Sequence, residues 1–378
     1  MPIILRILLY FVEQLSSIPK QAKNWILVRI FRKDRKYEMI KSLPKENQDQ
    51  IAVFAIYPGT TPLDSVLRIV DTLQKQRYSV LAVINKNRES ARFISALEGK
   101  RCAIMVRENI GADFGAYQNG IRYLKKIELY KPLKFLILVN DSIFVTPKIK
   151  QSISKISNPN SKFNCIYVHH QGVSHAGSMF LKFGKETLAT NGFIQFWNHY
   201  FPYSTKRRII LRGEHRLSKT VGVERFYPIV NLDSIKSVRN YCLLNSEVIQ
   251  LLTWSRKSSS LTHFYLSKSI EVSNWKDVYS YTLSNLQISN ALGLNISRVL
   301  NVPLKMDLMK SGLLSANDYL VLARKSGCKN DEIIELQKIL TSKGGFLTDS
   351  LVNRTLKIYS MPAQNPSSRH SSRPYDEY

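Results

Sequence analysis

The sequence predicts an α/β protein: a mostly parallel sheet with helices on both faces, preceded by an amphipathic N-terminal helix and followed by a helical C-terminal region. Two observations carry the prediction. Four apolar runs of strand length alternate with helical patterns between residues 51 and 140, and that alternation implies parallel strands joined by crossover helices. Each run also ends in polar or turn-forming residues, where open α/β sheets bind ligands.

The elements follow in order. IAVFAIY (51–57) reads as a buried strand, and residues 63–76 as a helix beginning near Thr60 and Thr61. SVLAVIN (79–85), a helix over 88–98, CAIMV (102–106), a helix over 114–127 and KFLILVN (134–140) continue the series. From about 163 the alternation lapses: NCIYVHH and AGSMFLKF read as strands of a mixed extension, and GFIQFWNHYF as an aromatic helix. The expected organisation is a basic segment over 1–45, the α/β domain over 46–232, a mainly helical region over 233–361 and a disordered tail over 362–378. The tail is rich in Pro, Ser and Arg and lacks apolar residues to bury.

The chain of 378 residues carries 55 Lys+Arg against 28 Asp+Glu, a formal charge of +27. With 44% hydrophobic residues, this charge sits on a folded body and makes its surface strongly basic. Such a surface attracts phosphates of nucleic acids, nucleotide-linked substrates or anionic lipids, and charge alone does not choose among them. The four cysteines, Cys102, Cys165, Cys242 and Cys328, form no C-x-x-C pair. They point to a reduced, cytosolic compartment.

The start, MPIILRILLYFVEQLSSI, has Arg6 and Glu13 inside its apolar run and no small-residue cleavage site after it. It is also short of the roughly 20 apolar residues a membrane span needs. Ile4, Ile7, Leu8, Phe11, Val12, Leu15 and Ile18 recur at helical spacing, and NWILVRIFRKDRK follows with aromatics among cations. Two readings fit: a helix lying in a membrane interface or one packing on its own domain. The basic cluster favours the membrane.

Three stretches carry chemistry. In RENIGADFGAY (107–117), Gly111 and Gly115 suit close backbone approach to a ligand, and Arg107 suits bidentate pairing with a diphosphate. Asp113 suits either a ligand hydroxyl or a helix cap. In FLILVNDSIFV, Asp141 emerges from a strand, where it suits Mg²⁺ or Mn²⁺ brought by a nucleotide diphosphate or ends the strand in an Asx turn. In IILRGEHRLSKTVG (209–222), Glu214 stands among Arg207, Arg208, Arg212, Arg216 and Lys219, as a general base or a salt-bridged surface acid. His169, His170 and His175 in HHQGVSH do not suggest a three-His metal site, because neighbours on a strand face opposite ways. One of them suits the pocket.

In order, R-x-N-x-G-x-D-F-G-A-Y, the strand ending in N-D-S, H-x-x-S-x-F-L-x-F (175–183), F-x-x-F-W (193–197) and G-E-x-x-L-S (213–218) resemble the rhamnan synthesis F family. NVPLKMDLMKSG (301–312) looks like that family's P-x-L-K-x-E-L-L stretch, so the similarity runs from about 51 to about 320. The resemblance implies a bacterial glycosyltransferase of cell-surface polysaccharide assembly with a GT-A-like (Rossmann-like) nucleotide-sugar domain. It implies a nucleotide site lined by Tyr57, Arg107, Asn109, Gly111, Asp113, Asn140 and Ser142. Asp141 would stand at the metal position and Glu214 at that of the acceptor base, with His175, Ser178 and Arg212 in the pocket. The implied partners are a nucleotide-sugar donor, a glycan or polyprenol-linked acceptor and the membrane surface. The implied location is cytoplasmic, peripheral on the inner face of the cell membrane.

The sequence departs from the family at three places. Asn140-Asp141-Ser142 has one acid where Asp-x-Asp has two, so Arg or Lys is the alternative to Mg²⁺ or Mn²⁺. VTP (145–147) replaces Gly-Pro, and Gly177 replaces a Gln. Rhamnose from thymidine diphosphate is the family-level expectation for the donor. Two rivals are a basic nucleic-acid-binding protein, against which stand the lack of a recognised nucleic-acid motif and the scatter of the cations, and an inactive scaffold relative in a glycan-assembly complex.

Overall fold

In the computed structural model the described residues are 18–229, apart from 31, 33, 35, 44–47, 60, 146–149 and 170–172, together with 304, 305, 330, 333, 334 and 337. The first expected strand is β2 (Gln50–Ile56), after a strand β1 (Tyr37–Lys41) that the sequence reading missed. From β2 the chain runs through α2 (Leu63–Lys75), β3 (Ser79–Asn85), α3 (Ser90–Glu98), β4 (Cys102–Arg107), α4 (Ala112–Lys126) and β5 (Phe135–Asn140). Ile51, Val53 and Ala55 face one side of the sheet, and Ala52, Phe54 and Ile56 the other, with every one of them buried. A strand buried on both faces reads as one continuous apolar run, which is why these strands were legible.

The sheet order is β1-β4-β3-β2-β5-β9, where β9 is Phe180–Gly184. The four central strands are parallel, and β1 and β9 close the edges antiparallel to β4 and β5. On one face lie α2, α3 and α5 (Lys150–Ser157), through Val66, Ile69, Leu73, Phe93, Ile153 and Ile156. On the other lie α4 and α7 (Asn191–His199), through Phe114, Tyr117, Ile121, Phe193 and Trp197. The expected α/β layering is present. Because β3 and β5 flank β2 on opposite sides, the strand order reverses at the carboxyl ends of β2 and β5, the place where open α/β sheets bind ligands.

The ends of the domain differ from expectation at the N-terminal side. The first segment was expected to run to 45, but Tyr37–Lys41 belongs to the sheet and Asp34 is tied to α4. The Asp34 carboxylate lies 3.1 Å from Arg122, and its carbonyl accepts from Asn119 Nδ2 at 2.8 Å. Before it, α1 (18–29) is fixed to the body, with Asn24 Nδ2 donating to the Pro202 carbonyl at 2.6 Å and Gln21 Nε2 to Thr205 Oγ1 at 3.0 Å. No helix among the described residues is long and apolar enough to cross a membrane. The expected helical region over 233–361 and the tail over 362–378 lie outside the described residues, apart from scattered positions. Of these, Leu304–Lys305 is a short strand paired with β6 (Ile143–Phe144), where no strand was expected.

Candidate functional site

The carboxyl ends of β2 and β5 are joined by Asp141. Its backbone N–H donates to the Ala55 carbonyl at 3.1 Å, and its Oδ2 accepts from the Tyr57 N–H at 2.6 Å. Thr61 Oγ1 donates to the Asp141 carbonyl. Asp141 is therefore held, 6% exposed, at the strand ends where the strand order reverses. Tyr57 contributes its backbone N–H, while its side chain is turned to solvent. Asn140 Oδ1 accepts from the Ser142 N–H at 3.0 Å, the Asx turn considered for this stretch. The Asn140 amide reaches across the edge and donates to Asp113 Oδ2 at 2.9 Å.

Asp113 lies in the first turn of α4, which is preceded by Gly111 at φ +81° and includes Ala112 at φ +48°. Gly111, not Asp113, occupies the cap position. Two successive left-handed residues turn the chain so that the Asp113 carboxyl faces the sheet edge. Its Oδ1 accepts from the Phe114 N–H at 2.9 Å, and its Oδ2 from both Asn140 and Ser178 Oγ, each at 2.9 Å. Burial and the nearby charge of Glu214 push its pKa up to about 6 against those hydrogen bonds.

Ser178 precedes β9 and is held from three sides. Its carbonyl accepts from the Tyr117 hydroxyl at 2.9 Å, its hydroxyl donates to Asp113, and its N–H donates to Glu214 Oε1 at 3.1 Å. Glu214 lies in a π-helical turn, Ile210–His215, that runs into α9 (Arg216–Val221). Such turns break the regular ladder and recur at functional sites. The turn sits on an aromatic platform: a Cβ at Gly213 would meet the Phe114 ring at 3.1 Å, and Phe114 stacks on Trp197 with centroids 5.9 Å apart. Gly213 thus lets the Glu214 backbone lie close above α4.

Beyond Glu214 stand two histidines. β7 (Val168–His169) and β8 (His175–Ala176) form a small hairpin, and Ser218 Oγ accepts from the Ala176 N–H at 3.0 Å. His175 Nδ1 lies 2.7 Å from the Val173 carbonyl, which can only accept, so Nδ1 carries the proton and Nε2 faces Glu214 Oε2 at 3.8 Å. The His215 ring lies 4.2 Å from that of His175. Burial first, then His175, lowers the His215 pKa, with Glu214 acting the other way. Glu214 is thus backed by an imidazole able to take up a proton.

The structure brings Asp113, Asn140, Asp141, Ser178, Glu214 and His175 to one edge, and gives others partners within the protein. Arg107 is 3% exposed, and its guanidinium donates to Asn85 Oδ1 at 2.7 Å and to the Ile110 carbonyl, pinning the loop before α4. Burial lowers its pKa to about 10, so it stays charged at neutral pH. The two glycines make room for protein. A Cβ on Gly111 would lie 2.4 Å from Pro202 Cβ, and one on Gly115 2.0 Å from the Ile110 carbonyl. Asn109 and Arg212 are exposed, outside this hydrogen-bonded cluster. His215 and Ser218 were not singled out, although both lie inside the G-E-x-x-L-S stretch.

Among the described residues no three His, Cys, Asp or Glu side chains gather as a metal cage. A single carboxylate at Asp141 fits a hard cation that arrives on a diphosphate and takes its other ligands from phosphate and water. Cys102 and Cys165 are buried thiols, and burial raises both pKa values, to about 11 for Cys102, which keeps them unreactive.

Fold and site together define an α/β protein with a hydrogen-bonded cluster of carboxylates at the switch point of its sheet. No family model and no solved structure matches the chain. Among curated proteins it is similar to the uncharacterized protein y4gN of Sinorhizobium fredii, 27% identical over 182 residues, which make up 47% of this chain and 46% of that one. The chain thus matches about half the length of that relative.

Proposed function

We propose that this chain is a GT-A-like glycosyltransferase of the rhamnan synthesis F type, moving a sugar from a nucleoside-diphosphate donor to a growing polyprenol-linked polysaccharide at the inner face of the cell membrane. The observation that carries the reading is the grouping of Asp141, Asp113, Ser178 and Glu214 at the strand-order reversal. The parallel order β4-β3-β2-β5, flanked by antiparallel β9, also supports it.

In the proposed reaction the acceptor oxygen attacks the anomeric carbon and the bond to the diphosphate breaks, with its electron pair leaving on the nucleoside diphosphate. Configuration inverts. Glu214 takes the acceptor proton, held for that task by the Ser178 N–H and flanked by His175 as the next proton holder. Asp113 and Asn140 orient the donor through hydroxyl contacts. Asp141 with the donor's phosphates would hold Mg²⁺ or Mn²⁺, which when bound neutralises charge on the diphosphate. Rhamnose is the sugar the family resemblance favours.

The test is release of nucleoside diphosphate from a panel of sugar donors, with Asp141→Ala and Glu214→Ala measured beside the parent. Turnover that survives both substitutions within about tenfold would refute these roles.

A further inference from the structure

We infer that the outward face of α1 is a docking surface for an anionic lipid bilayer. The helix has two committed sides. Asn24 and Val28, 5% and 8% exposed, face the body, where Asn24 holds the Pro202 carbonyl. On the other side Ile18, Trp25, Ile26 and Ile30 are 56%, 53%, 41% and 62% exposed. Their spacing, i, i+7, i+8 and i+12, makes one stripe along the helix and the turn residue Ile30 that closes it. Single exposed apolar residues are ordinary on a protein surface, whereas four along one helical stripe mark an interaction face.

The chemistry of that face selects the occupant. Residues 18–32 hold Lys20, Lys23, Arg29 and Arg32 and no Asp or Glu, and all four cations are exposed. The acid that follows, Asp34, is buried and paired with Arg122, away from these four cations. Apolar side chains with a Trp, rimmed by cations and free of acids, complement an acyl region below anionic headgroups. With a rise of about 1.5 Å per residue, the described part of α1, residues 18–29, runs roughly 18 Å and carries the stripe along that length.

The docked helix also orients the candidate site. Pro202, held by Asn24, abuts Gly111, which opens α4 two residues before Asp113 turns to the sheet edge. A bilayer under α1 therefore fixes how the candidate site faces the membrane. The inference rests on the proposed transfer only for the identity of the acceptor, and its test contains no sugar.

The test is flotation of the full chain with phosphatidylcholine vesicles, with and without phosphatidylglycerol. The parent is expected to float only with phosphatidylglycerol and to be released by salt. The variant Trp25→Ser, Ile26→Ser, Ile30→Ser, with unchanged circular dichroism, is expected to lose at least about tenfold in vesicle binding. Parental binding by that variant overturns the inference, as does a parent that never floats. So does a lipid-free dimer that the same substitutions dissolve, because the face then belongs to a second copy. Should the triple variant misfold, quenching of the parent by brominated lipid decides: it is expected to fall in Trp25→Phe, and equal quenching in both overturns the inference. Vesicle binding without donor turnover counts against the glycosyltransferase reading alone.

Discussion

Asp113 and Glu214 meet across one residue: the Ser178 hydroxyl donates to Asp113 at 2.9 Å while the N–H of the same residue donates to Glu214 at 3.1 Å. Two carboxylates from distant helices are thereby held at a fixed separation. The two bonds are separable by mutation, because only one of them uses the side chain.

Ser178→Ala removes the hydroxyl and keeps the N–H. The lost bond is one that lowers the Asp113 pKa, so that pKa rises further and Glu214 stays held. Under the proposed reaction, transfer falls about tenfold and the acid limb of the kcat profile moves to higher pH, with Ser178→Thr restoring part of both. A pH–rate series on the three proteins measures this.

Asp113 titrates near pH 6 in the folded protein against an ordinary value of 3.8. A raised folded pKa means that the folded state binds more protons than the unfolded one between these values, so stability falls as pH rises through that window. The penalty is absent below about pH 4, complete above about pH 6 and at most about 3 kcal/mol. Urea denaturation across the window is expected to show this negative slope, and Asp113→Asn to flatten it.

Glu214→Gln keeps an oxygen for the Ser178 N–H and removes the base. Transfer to acceptor is expected to fall by about 10²-fold or more while donor affinity changes little. Initial rates together with equilibrium dialysis of the donor separate these outcomes.

Gly111→Ala places a methyl group 2.4 Å from Pro202 Cβ at a residue with φ +81°. Left-handed strain and overpacking together are expected to cost about 2–4 kcal/mol in urea unfolding.

Arg107→Lys keeps the charge but not the fork that reaches both Asn85 and the Ile110 carbonyl. A loss of about 2–4 kcal/mol in stability is expected, with the donor KM unchanged in the protein that remains folded. A large KM effect at full stability would return Arg107 to the ligand.

The four central strands and their helices were legible because each is a local pattern. VFAI, VLAVI, AIMV and LILV are buried on both faces, and such strands advertise themselves as apolar runs. Tyr37–Lys41 escaped for the opposite reason: YEMIK is an edge strand with alternating half-exposed side chains, and its pairing with β4 is long-range. The stretch 107–117 was recognised as important, but Arg107, Gly111 and Gly115 serve the packing of the loop. A buried cation and a surface cation look alike in a sequence, since direction depends on neighbours such as Asn85 and Pro202 that are distant along the chain.

By itself the sequence determined the α/β class, the parallel core and the polar edge at its carboxyl ends, because apolar periodicity is set by the backbone geometry of each element. Only the tertiary structure decided that Asp113 and Glu214 share Ser178, that His175 and His215 stand behind Glu214, and that α1 turns one face to the body and another to solvent. Those relations follow from chain segments meeting across the fold, and no local pattern of residues encodes which segments meet.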